Sequence, residues 1–267
     1  MKDLTIVTGA GSGMGFEVAR IFGKQGPVLM CGRTAEKIET AANTLKNEGI
    51  EAVGIACDVS SRTSVEARAE KAMEIGTIRR IINAAGVSSS SNDAKTVYNI
   101  NMLGTMNVSE VFYPLIGQGG VLINIASLAA HIIPSPEAFP ELMEMAAYPE
   151  AVEKALEISD NVGYAYAISK KFVVEYTKKC CVKFAQKGVR VVSISPGTFE
   201  TPLLASVEDS KGARDILEKN PAGRMGNPKE IAYLAEFLAS DKAQYINGID
   251  IVIDGGYLSA ATVRQFI

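Results

Sequence analysis

The chain has little of what several function classes require. Its 267 residues carry 27 Lys and Arg against 30 Asp and Glu, a formal net charge of −3. The cations are scattered rather than gathered into a stripe, which argues against a nucleic-acid surface. The four cysteines, Cys31, Cys57, Cys180 and Cys181, show no CxxC spacing. Adjacent Cys180 and Cys181 fall in a helical pattern, where a mutual bridge would be strained, so all four read as reduced packing residues with no metal or disulfide role. The single histidine, His131, has no Asp-His-Ser spacing around it and reads as structural or pocket-lining. No apolar run reaches membrane-spanning length, and MKDL leads directly into an apolar strand pattern without a signal peptide's basic start and cleavage site. A cytoplasmic location is the expectation.

What is present is an ordinary globular composition, 47% hydrophobic and 21% charged, with a strong alternation of patterns. Short, nearly continuous apolar runs at 4–8, 28–31, 52–57, 80–83, 121–126, 189–195 and 249–253 suit parallel strands covered on both faces. Helical periodicity fills 14–25, 34–48, 62–74, 94–117, 163–187 and 228–239 between them. Strand, helix, strand repeated to the end predicts an α/β fold, a doubly wound (Rossmann), mostly parallel sheet of about seven strands, read as a single domain over residues 1–267.

Residues 131–160 break the rhythm and hold four of the ten prolines. A helix is expected to begin near Pro140. A second, amphipathic one is expected behind Pro149, with Val152, Ala155, Leu156 and Ser159 on one face and Glu150, Glu153 and Glu157 on the other.

The first strand runs into Thr8-Gly9-Ala10-Gly11-Ser12-Gly13-Met14-Gly15 and then a helix. Glycines there allow a tight turn, let backbone amides approach a pyrophosphate and leave a helix N-terminus facing the anion. The end of strand two usually carries an acid that holds a ribose 2′-hydroxyl. Here it reads Cys31-Gly32-Arg33-Thr34, so Arg33 is expected to meet a 2′-phosphate, favouring NADP(H) with NAD(H) possible. Asp58, after strand three, suits either an acceptor at the adenine edge or the N-cap of the next helix.

The stretch YAYAISK at 164–170 places Tyr166 and Lys170 one helical turn apart on one face, with Tyr164 pointing elsewhere. Together with TGAGSGMG, this pair makes the chain resemble the short-chain dehydrogenase/reductase family. The likeness runs almost end to end. Asn83-Ala84-Ala85-Gly86 resembles the family's NAAG stretch, Asn101 its active-site asparagine and Ser127 its catalytic serine. Ser195-Pro196-Gly197-Thr198 with Thr201-Pro202 resembles the loop on the nicotinamide, and Asp254-Gly255-Gly256 the C-terminal signature.

The resemblance implies a catalytic set of Asn101, Ser127, Tyr166 and Lys170. It also implies a cofactor set of Gly9, Ser12, Gly13, Met14, Gly15, Arg33, Asp58, Val59, Asn83, Ala84, Gly86, Tyr166, Lys170, Pro196, Gly197, Thr198 and Thr201, with no metal. Tyr166 would exchange a proton with the substrate oxygen, Ser127 would hydrogen-bond the same oxygen, and Asn101 would hold a water linking Lys170 to solvent. Bringing a tyrosine pKa from about 10 toward 7 requires roughly 4 kcal/mol. A cation about 4 Å away at an effective dielectric near 20 supplies about that much.

These residues imply an oxidoreductase acting on a small-molecule ketone or secondary alcohol. The runner-up activity is a β-ketoacyl thioester reductase, and a catalytically silent dinucleotide-binding module is the competing class. The outer faces of the helices at 94–117 and 163–187 are the family's subunit surfaces, so a homodimer or homotetramer is expected.

The insertion resembles that of hydroxysteroid dehydrogenase/carbonyl reductase members. Leu142, Met143 and Met145 with Ile132, Ile133 and Phe139 are expected to form an apolar lid, against the alternative of a hairpin serving stability or subunit contact. Seven acids against Lys154 give the segment a charge of −6, which disfavours phosphate-bearing acyl carriers. Bulky apolar, steroid-like substrates follow as the expectation.

Overall fold

The computed structural model describes residues 2–88, 90, 93–146, 149–201 and 218–263. Seven strands form one all-parallel sheet: β1 (Asp3–Thr8), β2 (Val28–Gly32), β3 (Ala52–Ala56), β4 (Thr77–Asn83), β5 (Val121–Ile125), β6 (Arg190–Pro196) and β7 (Asp250–Ile253). Their spatial order is β3-β2-β1-β4-β5-β6-β7. The chain reverses its direction of travel across the sheet between β1 and β4, and such a switch point leaves a crevice outside the carboxyl ends of the strands. Leu4, Ile6, Leu29, Ile81 and Leu122 lie in the core on one side, Val7, Val28, Met30, Ile82 and Ile123 on the other. This two-sided burial is why the strands read as continuous apolar runs rather than alternating ones.

The helices follow the expected periodicity closely: α1 (Gly13–Gly23), α2 (Ala35–Asn47) and α3 (Arg62–Ile75). The segment expected as one helix over 94–117 is instead α4 (Ala94–Tyr98), a π-helical turn (Asn99–Leu103) and α5 (Gly104–Phe112). A π turn inserts one residue into the helix without breaking the apolar pattern, so periodicity alone passes over it. Gly104 follows the turn, and a Cβ there would lie 2.6 Å from a Val59 methyl, so the missing side chain lets the helix close on the loop after β3.

The insertion forms α6 (Ala129–Ile132), α7 (Phe139–Glu144) and α8 (Ala151–Ile158), and both expected helices begin beside their prolines. α9 (Val162–Ala185) follows, capped by Asn161, whose side chain accepts from the Tyr164 N–H at 3.0 Å. α10 (Pro228–Ala239), a 3₁₀ turn at Asp241–Ala243 and α11 (Tyr257–Val263) complete the described chain. Among the described residues no helix is long and apolar enough to cross a membrane.

The insertion's apolar residues do not form the expected lid surface. Phe139 and Leu142 are fully buried in the same core as Tyr98, Phe172 and Tyr176, and Met143, Met145 and Ile133 pack against it. Only Ile132 is well exposed. The cause is visible in the anchoring contacts: Lys154 bridges Glu141 and Glu157, Lys95 pairs with Glu153, and the Lys179 ammonium donates to the Met143 carbonyl. Lys179 sits more than three turns beyond Tyr166, about 20 Å along α9. The amphipathic helices bury their apolar faces against the nearest apolar surface, the flanks of α4 and α9.

Candidate active site

The glycine turn between β1 and α1 is held by constraints only glycine meets. Gly9 has φ +66°, and a Cβ there would lie 2.6 Å from the Ala84 carbonyl oxygen. Gly13 has φ +58° and opens α1, while a Cβ on Gly15 would meet the Gly9 carbonyl at 2.4 Å. Ser12 stands at the N-cap with Met14 in the first turn. Thr8, which the sequence reading did not single out, locks this turn to the neighbouring strand. Its hydroxyl donates to Asn83 Oδ1 at 2.8 Å and accepts from the Ala85 N–H at 3.0 Å. The amide of Asn83 continues to Asn124, and Asn124 to Thr177, in a buried polar chain across β4, β5 and α9.

A cavity of about 190 Å³ lies over these carboxyl ends, lined by Gly9, Gly11 and Ser12 from the first turn and Arg33 from the end of β2. Asp58, Val59 and Gly86 complete its far side. Arg33 is exposed, and among the described residues no hydrogen bond or ion pair engages its guanidinium. Lys37, one turn into α2, also lines this cavity and was missed, because a lysine on an exposed helix face carries no sequence signal of its own. Asp58 does not cap α3; Ser61 does, accepting from the Ser64 N–H, and Asp58 instead receives hydrogen bonds from Ser60.

At the other end of the crevice, Ser127 follows β5, and α9 brings Tyr166 close enough for the Ser127 hydroxyl to influence the tyrosine's pKa. Burial pushes the Tyr166 hydroxyl above its ordinary pKa, and Ser127 pulls the other way. Tyr164 turns away and packs against the core under the insertion. Lys170 is buried, donates to the Ile125 carbonyl at 3.1 Å and stands 5.9 Å from the Tyr166 ring centroid. Burial holds its ammonium down to a pKa of about 8. The ammonium thus reaches both the carbonyl end of β5 and the neighbourhood of the Tyr166 ring.

Asn101, buried in the π turn, is fully engaged. Its Oδ1 accepts from the Val87 N–H at 3.0 Å, and its Nδ2 donates to the Val87 carbonyl and to Ser169 Oγ. Ser169 donates in turn to the Tyr166 carbonyl at 2.7 Å. Gly86 sits between the two arms: a Cβ there would lie 3.2 Å from Asn101 Oδ1 and 3.3 Å from Lys170 Nζ.

Pro196 accepts from the Leu128 N–H, tying β6 to the serine turn, and Gly197 lets the next turn approach Asp254, whose Cα lies 2.8 Å from where a Cβ would stand. Thr198 pairs with the Gly226 N–H; Thr201 is half-buried, and Pro202 lies outside the described residues. Asp254 caps the following turn by accepting from Gly256 and Leu258. His131 faces the other way, its Nε2 meeting both Asp250 (2.8 Å) and Ser195 (3.3 Å). Because one nitrogen makes both contacts, it cannot relay a proton between them.

A family model described as short chain dehydrogenase matches residues 3–138, and one described as enoyl-(acyl carrier protein) reductase matches residues 150–258. D-threitol dehydrogenase of Mycolicibacterium smegmatis is 33% identical over 95% of this chain and 92% of its own length. Cis-4-hydroxycyclohexanecarboxylate dehydrogenase of Sinomonas cyclohexanicum is 28% identical over 96% of both. Among solved structures, a variant of actinorhodin polyketide ketoreductase with NADPH is 27% identical and superposes with a TM-score of 0.78 over 96% of this chain and 97% of that one.

Proposed function

Because the chain belongs to the short-chain dehydrogenase/reductase family, an oxidoreductase family of nicotinamide-dependent enzymes on CH–OH donors and their carbonyl products, we propose that it is an NADP(H)-preferring dehydrogenase/reductase of neutral ketones and secondary alcohols. The observation that carries the cofactor preference is Arg33: an exposed guanidinium without a partner among the described residues, on the wall of the cavity, where β2 ends without an acid. The residues fit such a cofactor. The glycine turn leaves backbone exposed where a Cβ would collide, and Arg33 and Lys37 give two cations on one rim.

When bound, the nicotinamide supplies the hydride. The chain's own residues handle the proton. Tyr166 gives its hydroxyl proton to the carbonyl oxygen in reduction and takes it back in oxidation, and its high pKa keeps it a proton donor at neutral pH. Ser127 donates to the same oxygen as charge develops. Lys170, near its own pKa at mildly alkaline pH, passes a proton toward Tyr166, while Asn101 braces the 86–88 turn and faces Lys170 across the space that Gly86 keeps open for a water.

For substrate, the exposed acids of the insertion support a preference for neutral molecules over phosphate-bearing acyl carriers, since Glu137, Glu141, Glu144, Glu150, Glu153, Glu157 and Asp160 all face solvent. That field sets neutral substrates above anionic ones, while the steroid-like preference loses its ground with the apolar lid, whose residues pack into the core. The match of residues 150–258 to a family model described as enoyl-(acyl carrier protein) reductase supports thioester reduction as the second reading. We further propose a homodimer or homotetramer. The α4 and α9 faces expected to join subunits are partly covered by α7 and α8, while Tyr233, Phe237 and Ile249 stay exposed on α10 and before β7.

The test follows NADPH and NADH consumption with cyclic ketones and with acetoacetyl thioesters. Higher kcat/KM with NADPH and with the neutral ketone is expected; faster thioester turnover favours the second reading, and no turnover of either favours a silent binding module.

A further inference from the structure

His131 is the chain's single histidine, and the proposed reaction leaves it unused. It sits four residues past Ser127 in α6, a single turn spanning Ala129–Ile132, and one turn of helix does not hold itself in water. That turn nevertheless sets the serine. Ser127 Oγ accepts from the Ala129 N–H at 3.2 Å, so the hydroxyl keeps its own proton for an acceptor in the crevice. The near end of the turn is fixed by the Leu128 N–H, which donates to the Pro196 carbonyl at 2.8 Å, and by Ala130, buried beside Ala126, Val173 and Val174.

The far end is held by side chains. Lys171 of α9 donates to the Ala130 and Ile133 carbonyls, at 3.5 and 3.4 Å, two long bonds. His131 makes the short one, its Nε2 lying 2.8 Å from Asp250 Oδ2. The other Asp250 oxygen accepts from Ser193 Oγ at 2.6 Å, and Ser193 and Asp250 face each other across β6 and β7. The Asp250 side chain is only 6% exposed. An ionised carboxylate can only accept, so Nε2 carries the proton and His131 is the donor. Ser195 Oγ, 3.3 Å from the same nitrogen, takes the weaker share. A buried carboxylate stripped of a donor is costly, and that cost keeps the imidazole in place.

We infer that His131 is a positioning residue for Ser127: by donating to Asp250 it fastens the α6 turn to β6 and β7 and so keeps the Ala129 amide on the serine hydroxyl. The inference rests on the proposed function, in which Ser127 donates to the substrate oxygen as charge develops. In this role His131 needs no contact with substrate or cofactor. Its effect falls on kcat rather than on binding, because a hydrogen bond that strengthens with developing charge stabilises the transition state more than the ground state.

The experiment measures kcat, KM for a cyclic ketone and NADPH affinity in His131→Leu and His131→Gln, each alone and combined with Ser127→Ala. Leucine fills the space without a donor, whereas the glutamine amide reaches about as far as Nε2. His131→Leu should lower kcat at least tenfold, with KM and NADPH affinity within about threefold of wild type. His131→Gln should restore kcat to within about threefold. Added to Ser127→Ala, His131→Leu should cost less than twofold more, since a residue acting only through the serine has nothing left to position. Amide hydrogen exchange, read without substrate, should quicken about tenfold at residues 128–131 in His131→Leu and return in His131→Gln. Should His131→Leu fail to fold, His131→Asn, whose donor stops one atom short, takes its place in each comparison. Equal losses in the presence and absence of Ser127, a glutamine variant no better than leucine, or unchanged exchange at 128–131 would overturn the inference. Ser127→Ala at wild-type activity would overturn the serine's role and this inference with it. A wild type that binds no NADPH and turns over no ketone would instead refute the proposed function, and the exchange rates then decide alone whether His131 holds the turn.

Discussion

Ser127 lies close enough to Tyr166 to pull its hydroxyl's pKa down against the effect of burial, although 38 residues separate the two in the chain. The pair is assembled by two unrelated elements, the end of β5 and the first turns of α9, with the whole insertion looped outside. Two neighbouring hydroxyls can address one oxygen, and only one of them needs to deliver a proton.

Tyr166→Phe keeps the ring and its packing but removes that proton. Activity is expected to fall at least a thousandfold while NADPH affinity, read by fluorescence titration, stays within about threefold. Tyr164→Phe should cost far less, because Tyr164 packs under the insertion. Equal losses in the two variants would remove Tyr166 from the reaction.

Most of this arrangement was legible in the sequence. Seven strands, their parallel order and the helices came from continuous apolar runs separated by helical periodicity, signals that survive because both sheet faces are covered. The glycine turn, Arg33, Ser127, Tyr166 and Lys170 announced themselves by residue type at a defined place. Other features were silent. The π turn at Asn99–Leu103 leaves the apolar pattern intact, Thr8 bonds to residues more than seventy positions away, and Lys37 is one of many exposed lysines. The direction in which the insertion's apolar face points depends on which neighbour is nearest, and local sequence does not encode it.

Arg33→Ala should lower the preference for NADPH over NADH by roughly ten- to a hundredfold, the size of one charge-assisted hydrogen-bonded contact of about 1.5 to 3 kcal/mol. Direct binding titrations of both cofactors check it independently of turnover. A wild type that prefers NADH, or an unchanged ratio in the variant, would remove Arg33 from the phosphate site.

Lys170 should leave a signature in stability against pH. Its folded pKa of about 8 lies below the ordinary lysine value of 10.5, so burial disfavours the ammonium in the folded chain. Between those values the unfolded chain binds more protons, and stability therefore rises with pH across that window. Below about pH 8 the full cost, on the order of 3 kcal/mol, is present. Lys170→Met removes the titrating group, so its advantage over wild type in denaturant unfolding should be largest near pH 7 and shrink toward pH 10. A difference that does not vary with pH would show that the ammonium is solvated in the folded chain.

The insertion provides the last test, since its position decides between a lid and a packed flank. Leu142 is fully buried on α7, which packs against α8 and α9. A leucine in that setting contributes about 2–5 kcal/mol relative to alanine, counting both lost transfer energy and the cavity left behind. Leu142→Ala should therefore lower the unfolding free energy by that amount while KM for a cyclic ketone at 25 °C stays within about twofold. Met143→Asp and Met145→Asp should act in the same direction, because both side chains pack against that core and a carboxylate there loses solvation. A lid would give the opposite split, a KM several-fold higher for the apolar ketone with unfolding unchanged. Changing the exposed Glu137 and Glu144 to Gln should leave stability nearly untouched and raise kcat/KM for a phosphopantetheine-type thioester more than for a neutral ketone. That asymmetry should fade in high salt, as expected when a field rather than a contact sets the preference.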